Sequence, residues 1–188
     1  MTHSKFLVLL CAFTLVISSC SDQKDPLPIN PEELITTVNI VLTPVDEGDS
    51  LTFKSEDLDA QGPNPPEISG GTLLANTQYN AVISLLNETS ATAIDITEEV
   101  AEEAEDHQFF YSASEELNLS FAYRGENDSN GNPVGIYFRL TSKEAGTGTF
   151  TLTLKHQPNK FATGVKEGDI SNAGGETDIE VSFPVTVQ

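Results

Sequence analysis

GTGTFTLTLKH (residues 146–156) and TDIEVSFPVTV (residues 177–187) are the two stretches that decide the fold. In the first, Phe150, Leu152 and Leu154 alternate with Thr149, Thr151 and Thr153; in the second, Ile179, Val181, Phe183, Val185 and Val187 alternate with mostly polar neighbours. Side chains of a strand point to opposite faces in turn, so this period of two predicts strands with one buried face. Working outward, the same period recurs in Leu34, Val38, Ile40 and Leu42, in Leu51 and Phe53, and in Tyr79, Ile83 and Leu85. It returns in Leu117, Leu119, Phe121 and Tyr123 and in Val134, Ile136, Phe138 and Leu140. Turn formers separate these runs: Glu47-Gly48-Asp49, Gly62-Pro63-Asn64-Pro65-Pro66, Gly70-Gly71, Asn130-Gly131-Asn132-Pro133 and Gly146-Thr147-Gly148. Seven to nine short antiparallel strands within residues 33–188 predict one mostly-β domain, an immunoglobulin-like antiparallel β-sandwich. A small β-barrel is the alternative. Pro184 lacks a ladder donor, which predicts an edge position for the last strand.

One segment breaks the period. Asp95-Ile96-Thr97-Glu98 reads as a capping box, and Ile96, Val100 and Ala104 recur at i, i+4 and i+8. Residues 95–106 are therefore expected to form a short acidic helix laid on a sheet. Its like-charge pairs 98/102, 99/103 and 102/106 each cost roughly 0.2 to 0.5 kcal/mol. No Lys or Arg occurs between Lys54 and Arg124.

Composition narrows the function. The 188 residues hold 29 Asp+Glu against 9 Lys+Arg, a formal net charge of −20. A chain so poor in cations does not neutralise nucleic-acid phosphates. Both cysteines, Cys11 and Cys20, lie in the first 20 residues, so the body has no disulfide framework, cysteine zinc site or thiol nucleophile. G-x-S-x-G, H-E-x-x-H and a phosphate-cradling glycine loop are all missing, and the expectation is a noncatalytic protein.

Lys5 precedes an apolar run, Phe6 to Ile17, that is too short to span a bilayer core of about 30 Å and has the dimensions of a signal peptide. Ile17-Ser18-Ser19-Cys20 resembles a lipobox, which predicts a lipoprotein signal peptide over 1–19 and lipidation of Cys20. Residues 20–32, polar with three prolines in 21–31, have the composition of a flexible tether ahead of a single domain over 33–188. Within them, Gln23-Lys24-Asp25 resembles a short acidic surface-export signal of flavobacterial lipoproteins. The expected location is the outer membrane, at the cell surface or periplasmic face, with the acidic body repelled from anionic lipid.

His107 and His156 are the histidines of the body, each at the end of a predicted strand, and Glu103 lies one helical turn before His107. Imidazoles with a carboxylate suit zinc or copper. Structural histidines at a sheet rim are the competing reading. Asp128, Asn130 and Asn132 open like a D-x-[DN]-x-[DN] calcium loop, but Pro133 and Arg139 stand where that pattern wants Gly and Glu, and a polar hairpin turn explains the same residues. The connection from Gln157 to Thr177, with four glycines, reads as a surface crossover or a packed Ω-type ligand loop. Its Lys160 and Lys166 are placed to meet the acidic helix.

TEEVAEEAEDHQFFYSA (97–113), SNGNPVGIYFRLT (129–141) and LKHQPNKFATGVKEGDISNAGGETDIEVSFPVTV (154–187) resemble a family of short lipoproteins of flavobacteria and related Gram-negative bacteria. LITTVNIVLTP (34–44) and the lipobox are similar as well. That family is often filed under the type 1 periplasmic-binding fold, a two-lobed α/β architecture whose alternating helices this chain lacks. The resemblance implies a surface or periplasmic lipoprotein without an assigned ligand. Together these readings predict a lipid-anchored, acidic binding or accessory lipoprotein, working beside an outer-membrane transporter or another basic protein surface. A zinc- or copper-capturing lipoprotein is the alternative.

Overall fold

Phe150 and Phe183 face each other across a hairpin whose two strands pair along nearly their whole length, and the sandwich is built on that pair. A computed structural model describes residues 34–60 and 62–188 of the chain; the expected signal peptide, Cys20 and the expected tether lie outside the described residues. In chain order the strands are β1 (Thr37–Pro44), β2 (Leu51–Glu56), β3 (Glu67–Ser69), β4 (Gly71–Leu73), β5 (Gln78–Asn87) and β6 (Ile94–Asp95). After helix α1 (Ile96–Glu102) come β7 (His107–Ala113), β8 (Leu119–Arg124), β9 (Tyr137–Ser142), β10 (Gly146–His156) and β11 (Glu176–Val187).

One sheet runs β3-β2-β1-β5-β9-β8, with β6 on the end of β5; the other runs β4-β11-β10-β7. All pairs are antiparallel except β4 with β11. The fold is an antiparallel β-sandwich, as expected, with the described strands in two separate sheets rather than a closed barrel. Its core is the set of side chains the alternation selects: Val38, Ile40 and Leu42 of β1, Ile83 and Leu85 of β5, Leu152 and Leu154 of β10, all buried. Aromatic rings stitch the sheets together. Phe53 of β2 lies 5.7 Å from Phe183, Phe138 of β9 lies 4.1 Å from Tyr111 of β7, and Phe121 of β8 lies 5.3 Å from Phe150, measured between ring centroids. Burying each such phenylalanine contributes about 1.5 to 3 kcal/mol.

Three expectations are corrected. The described strands number eleven rather than seven to nine, because β3, β4 and β6 span only two or three residues and leave no period to read. Pro184 does not mark an edge: β11 lies between β10 and β4. Proline is tolerated there because β4 pairs only with Val185–Val187, starting one residue after it. The helix is also shorter than expected. Asp95 caps it through Thr97 N, but α1 stops at Glu102 without a basic residue in its last turn, where accumulating carboxylates oppose the helix dipole. Ile96 and Val100 are buried, and Leu85 N donates to Thr97 Oγ1 at 2.9 Å, so α1 sits against the end of β5.

The connection 157–175 is packed rather than loose. It contains two short 3₁₀ turns, and its Val165 and Ala173 form a small second core with Phe110 on the outer side of β7. Lys160 is 3% exposed, and its ammonium donates to Ala104 O, to Pro133 O at 3.2 Å and to Asp128 Oδ2 at 3.3 Å. It thereby ties the loop to the exit of α1 and to the 128–133 turn. Burial pulls this ammonium below its ordinary range, an effect that Asp128, Asp106 and Glu105 partly oppose. Burial also pushes the Asp128 carboxyl up, but the amide of Asn132 and the Lys160 charge outweigh it and hold Asp128 below the usual carboxylate range.

Removing one member of a buried ion pair strands the other, so Lys160→Met is expected to destabilise the chain by about 3 kcal/mol in urea unfolding. Because the Asp128 value is lowered on folding, its contribution is present above the ordinary carboxylate range and is lost as pH falls through the lowered value. Asp128→Asn should flatten the acid limb of the stability-against-pH curve; an unchanged limb would mean the carboxylate contributes nothing there.

Candidate metal centre at the stem of the long loop

Strand register brings the two histidines together. β10 pairs with β7 so that His156 stands opposite His107, at the point where α1 hands the chain to β7 and the long loop leaves β10. The imidazoles stack with centroids 4.8 Å apart and planes 17° from parallel. A third group joins them from β11. The β10–β11 ladder runs Leu154↔Ile179 and then Lys155↔Thr177, so Asp178 is the extra residue of a β-bulge. A bulge re-aims a side chain. By strict alternation Asp178 would point outward with Glu180 and Ser182; instead its side chain is 6% exposed and lies at the edges of both rings. Asp178 Oδ2 is 3.7 Å from His107 Nε2, and Oδ1 is 3.9 Å from His156 Nδ1.

One ligand atom from each of His107, His156 and Asp178 lies within 4.8 Å of the others. Tetrahedral zinc with bonds near 2.0–2.1 Å sets neighbouring ligand atoms roughly 3.3 Å apart, so only small side-chain turns separate this set from a coordination sphere. Two imidazole nitrogens and a carboxylate oxygen suit zinc or copper better than calcium, which takes an all-oxygen shell. His107 Nδ1 lies 3.2 Å from the carbonyl oxygen of Glu103, and a carbonyl can only accept, so Nδ1 is the donor there and Nε2 is the nitrogen turned toward Asp178. This is how metal-ligating histidines are usually oriented. Stacked rings direct their lone pairs side by side, so closing on one ion requires the rings to splay. His156, with its side chain 22% exposed, has more room to turn than His107 at 2%.

Sequence reasoning found both histidines and placed Glu103 beside them. The structure puts the Glu103 carboxylate 3.9 Å from Nδ1 of His107, on the side away from Asp178 and largely exposed, so Glu103 orients the ring through its carbonyl and is not a member of the cluster. Asp178 was missed because a bulge cannot be read from period two. At the proposed calcium turn, Asp128 Oδ1 accepts from Asn130 N at 2.9 Å and Asn132 N at 2.8 Å, and the cation met by Oδ2 is the Lys160 ammonium. That turn is held together by its own backbone and Lys160.

No protein-family model matches the chain. No curated protein matches it either. Among solved structures, the crystal structure of the S-layer protein SbsC domains 4 and 5 is similar at 14% identity, covering 85% of this chain and 73% of that one, with a TM-score of 0.29. A superposition that loose carries no argument about this chain. No helix among the described residues is long and apolar enough to cross a membrane.

Gly175 fixes the loop stem next to His156. It adopts φ +65°, and a Cβ there would lie 2.3 Å from His156 O and 2.8 Å from Gln157 O. Gly175→Ala is therefore expected to cost about 1 to 3 kcal/mol in unfolding experiments and to displace the imidazole resonances of His156. Unmoved resonances would show that the loop stem does not set the site.

Proposed function

We propose that this chain is a noncatalytic metal-binding lipoprotein, with zinc or copper held by His107, His156 and Asp178. The observation that carries the reading is the convergence of three ligand-type side chains, from β7, β10 and the bulge of β11, on one largely buried point. Two of them are all the histidines of the predicted mature body. The fourth coordination position would fall to water or to a group from a partner. Lipidation of Cys20, with residues 20–32 as a tether, would hold the acidic body at the outer membrane, facing the surface or the periplasm. There it would serve as an accessory module that hands its ion to a membrane transporter or another basic protein surface. The net charge of −20 supports a role with cations, since such a field raises their local concentration.

The test is calorimetric titration of the chelator-stripped full chain with Zn²⁺ and separately with Ca²⁺. One equivalent of Zn²⁺ at micromolar affinity or tighter is expected, lost in His107→Gln and His156→Gln and weakened in Asp178→Asn. Circular dichroism of each variant checks that it has folded. At a free Zn²⁺ concentration about a hundredfold above Kd, unfolding should become harder by about 2.7 kcal/mol. Wild-type zinc affinity in both histidine variants would remove the site. For the anchor, Cys20→Ala should move the protein from the membrane to the soluble fraction; continued membrane fractionation would sink the lipoprotein reading.

A further inference from the structure

A groove of about 550 Å³ opens between α1 and the β8–β9 region. Ala101 and Ala104 of α1, with Val134 and Ile136 from the segment before β9, give it an apolar lining. Volumes of about 300 to 1,000 Å³ are those of small-molecule sites, and this one is far too large for a single ion. Two features mark one end. Tyr137 is 53% exposed, although every other tyrosine is at least half-buried. Its ring lies against the turn at Gly125, where φ is +82° and a Cβ would meet Tyr137 Cδ2 at 2.8 Å. Beside it stands Arg124, paired with Tyr137 in the β8–β9 ladder.

Arg124 is unusual in so acidic a chain. The other arginine, Arg139, is engaged by Gln78 and Asn80 at 2.9 Å each, whereas the Arg124 guanidinium makes no hydrogen bond or ion pair among the described residues. Arg124, Gly125 and Tyr137 also line an adjoining depression of about 340 Å³ that has no acidic residue. The helix wall of the groove carries Asp95 and Glu98, and Glu126 follows on the turn. An anion alone would be repelled by three carboxylates, and a cation alone would face a guanidinium. A ligand bearing both charges, separated by a body with apolar groups, satisfies all of them.

We infer that the groove binds a short peptide with free termini. Its carboxylate meets Arg124, its ammonium meets the acids of the helix wall, and its side chains lie on the alanine, valine and isoleucine surface with Tyr137 as a lid. A guanidinium forms a two-pronged pair with a carboxylate, which gives the interaction direction as well as attraction. No residue lining the groove belongs to the histidine cluster.

The probe is trialanine, titrated into the isotope-labelled full chain at low salt and followed by amide chemical shifts. Shifts are expected at Ala101, Gly125 and Tyr137. Arg124→Gln should weaken binding roughly tenfold, as should amidating the peptide's C-terminus, and the two losses should not add. Glu98→Gln should do the same for the free amine, with N-acetyl peptide as its partner control. Dispersed spectra show that each variant is folded, and unchanged zinc heat in Arg124→Gln separates this site from the metal proposal. Absence of shifts in the groove at millimolar trialanine would overturn the inference. Equal binding of peptide blocked at both ends, or of a neutral trisaccharide, would overturn it as well.

Discussion

A buried ammonium has three protons and no way to leave them unmet. Lys160 gives one to the carbonyl of Ala104 at the exit of α1, and one each to the carbonyl of Pro133 and the carboxylate of Asp128, both in the 128–133 turn. The exit of α1, the turn before β9 and the long connection between β10 and β11 are thus fixed relative to one point. Desolvating a charge costs several kcal/mol, and only good geometry recovers it, so the arrangement tolerates little drift. The histidine cluster inherits that order. His107 starts three residues after Ala104, and His156 ends the strand from which the Lys160 loop departs.

The sandwich was legible because its strands obey one simple rule. Phe150, Leu152 and Leu154 against Val181 and Phe183, and Val38, Ile40 and Leu42 in β1, are buried as alternation requires. Reading failed where local order is interrupted. Strands of two or three residues carry no period, and Pro184 is accommodated in an inner strand because its neighbour β4 begins one residue later. The helix ended early because the capping residues announced its start while nothing at its C-terminus favoured continuing. Lys160 was expected near the acidic helix and lies there, but it binds a main-chain carbonyl rather than the helix carboxylates; Lys166 instead sits beside Glu167 at the surface.

The site was half legible. Two histidines at strand ends are visible in any reading of the chain, yet only register shows that they face each other. Charge organises the surroundings at longer range. With acids outnumbering bases more than threefold, the field around the domain favours cations, and the groove beside α1 places one unengaged arginine within that field. Attraction between charges at the surface weakens beyond a screening distance of about 8 Å at physiological salt, so these local arrangements matter more than the total.

The bulge at Asp178 separates two jobs that one strand performs. Beyond it, from Ile179 to Val187, β11 follows the alternation that fills the core; before it, the strand belongs to the cluster. One inserted residue is the whole difference between a carboxylate facing water and one facing two imidazoles. Evolution can therefore gain or silence such a cluster through a single-codon insertion or deletion while every core side chain keeps its place. A scaffold with that property can hold its architecture constant across relatives whose chemistry at the loop stem differs.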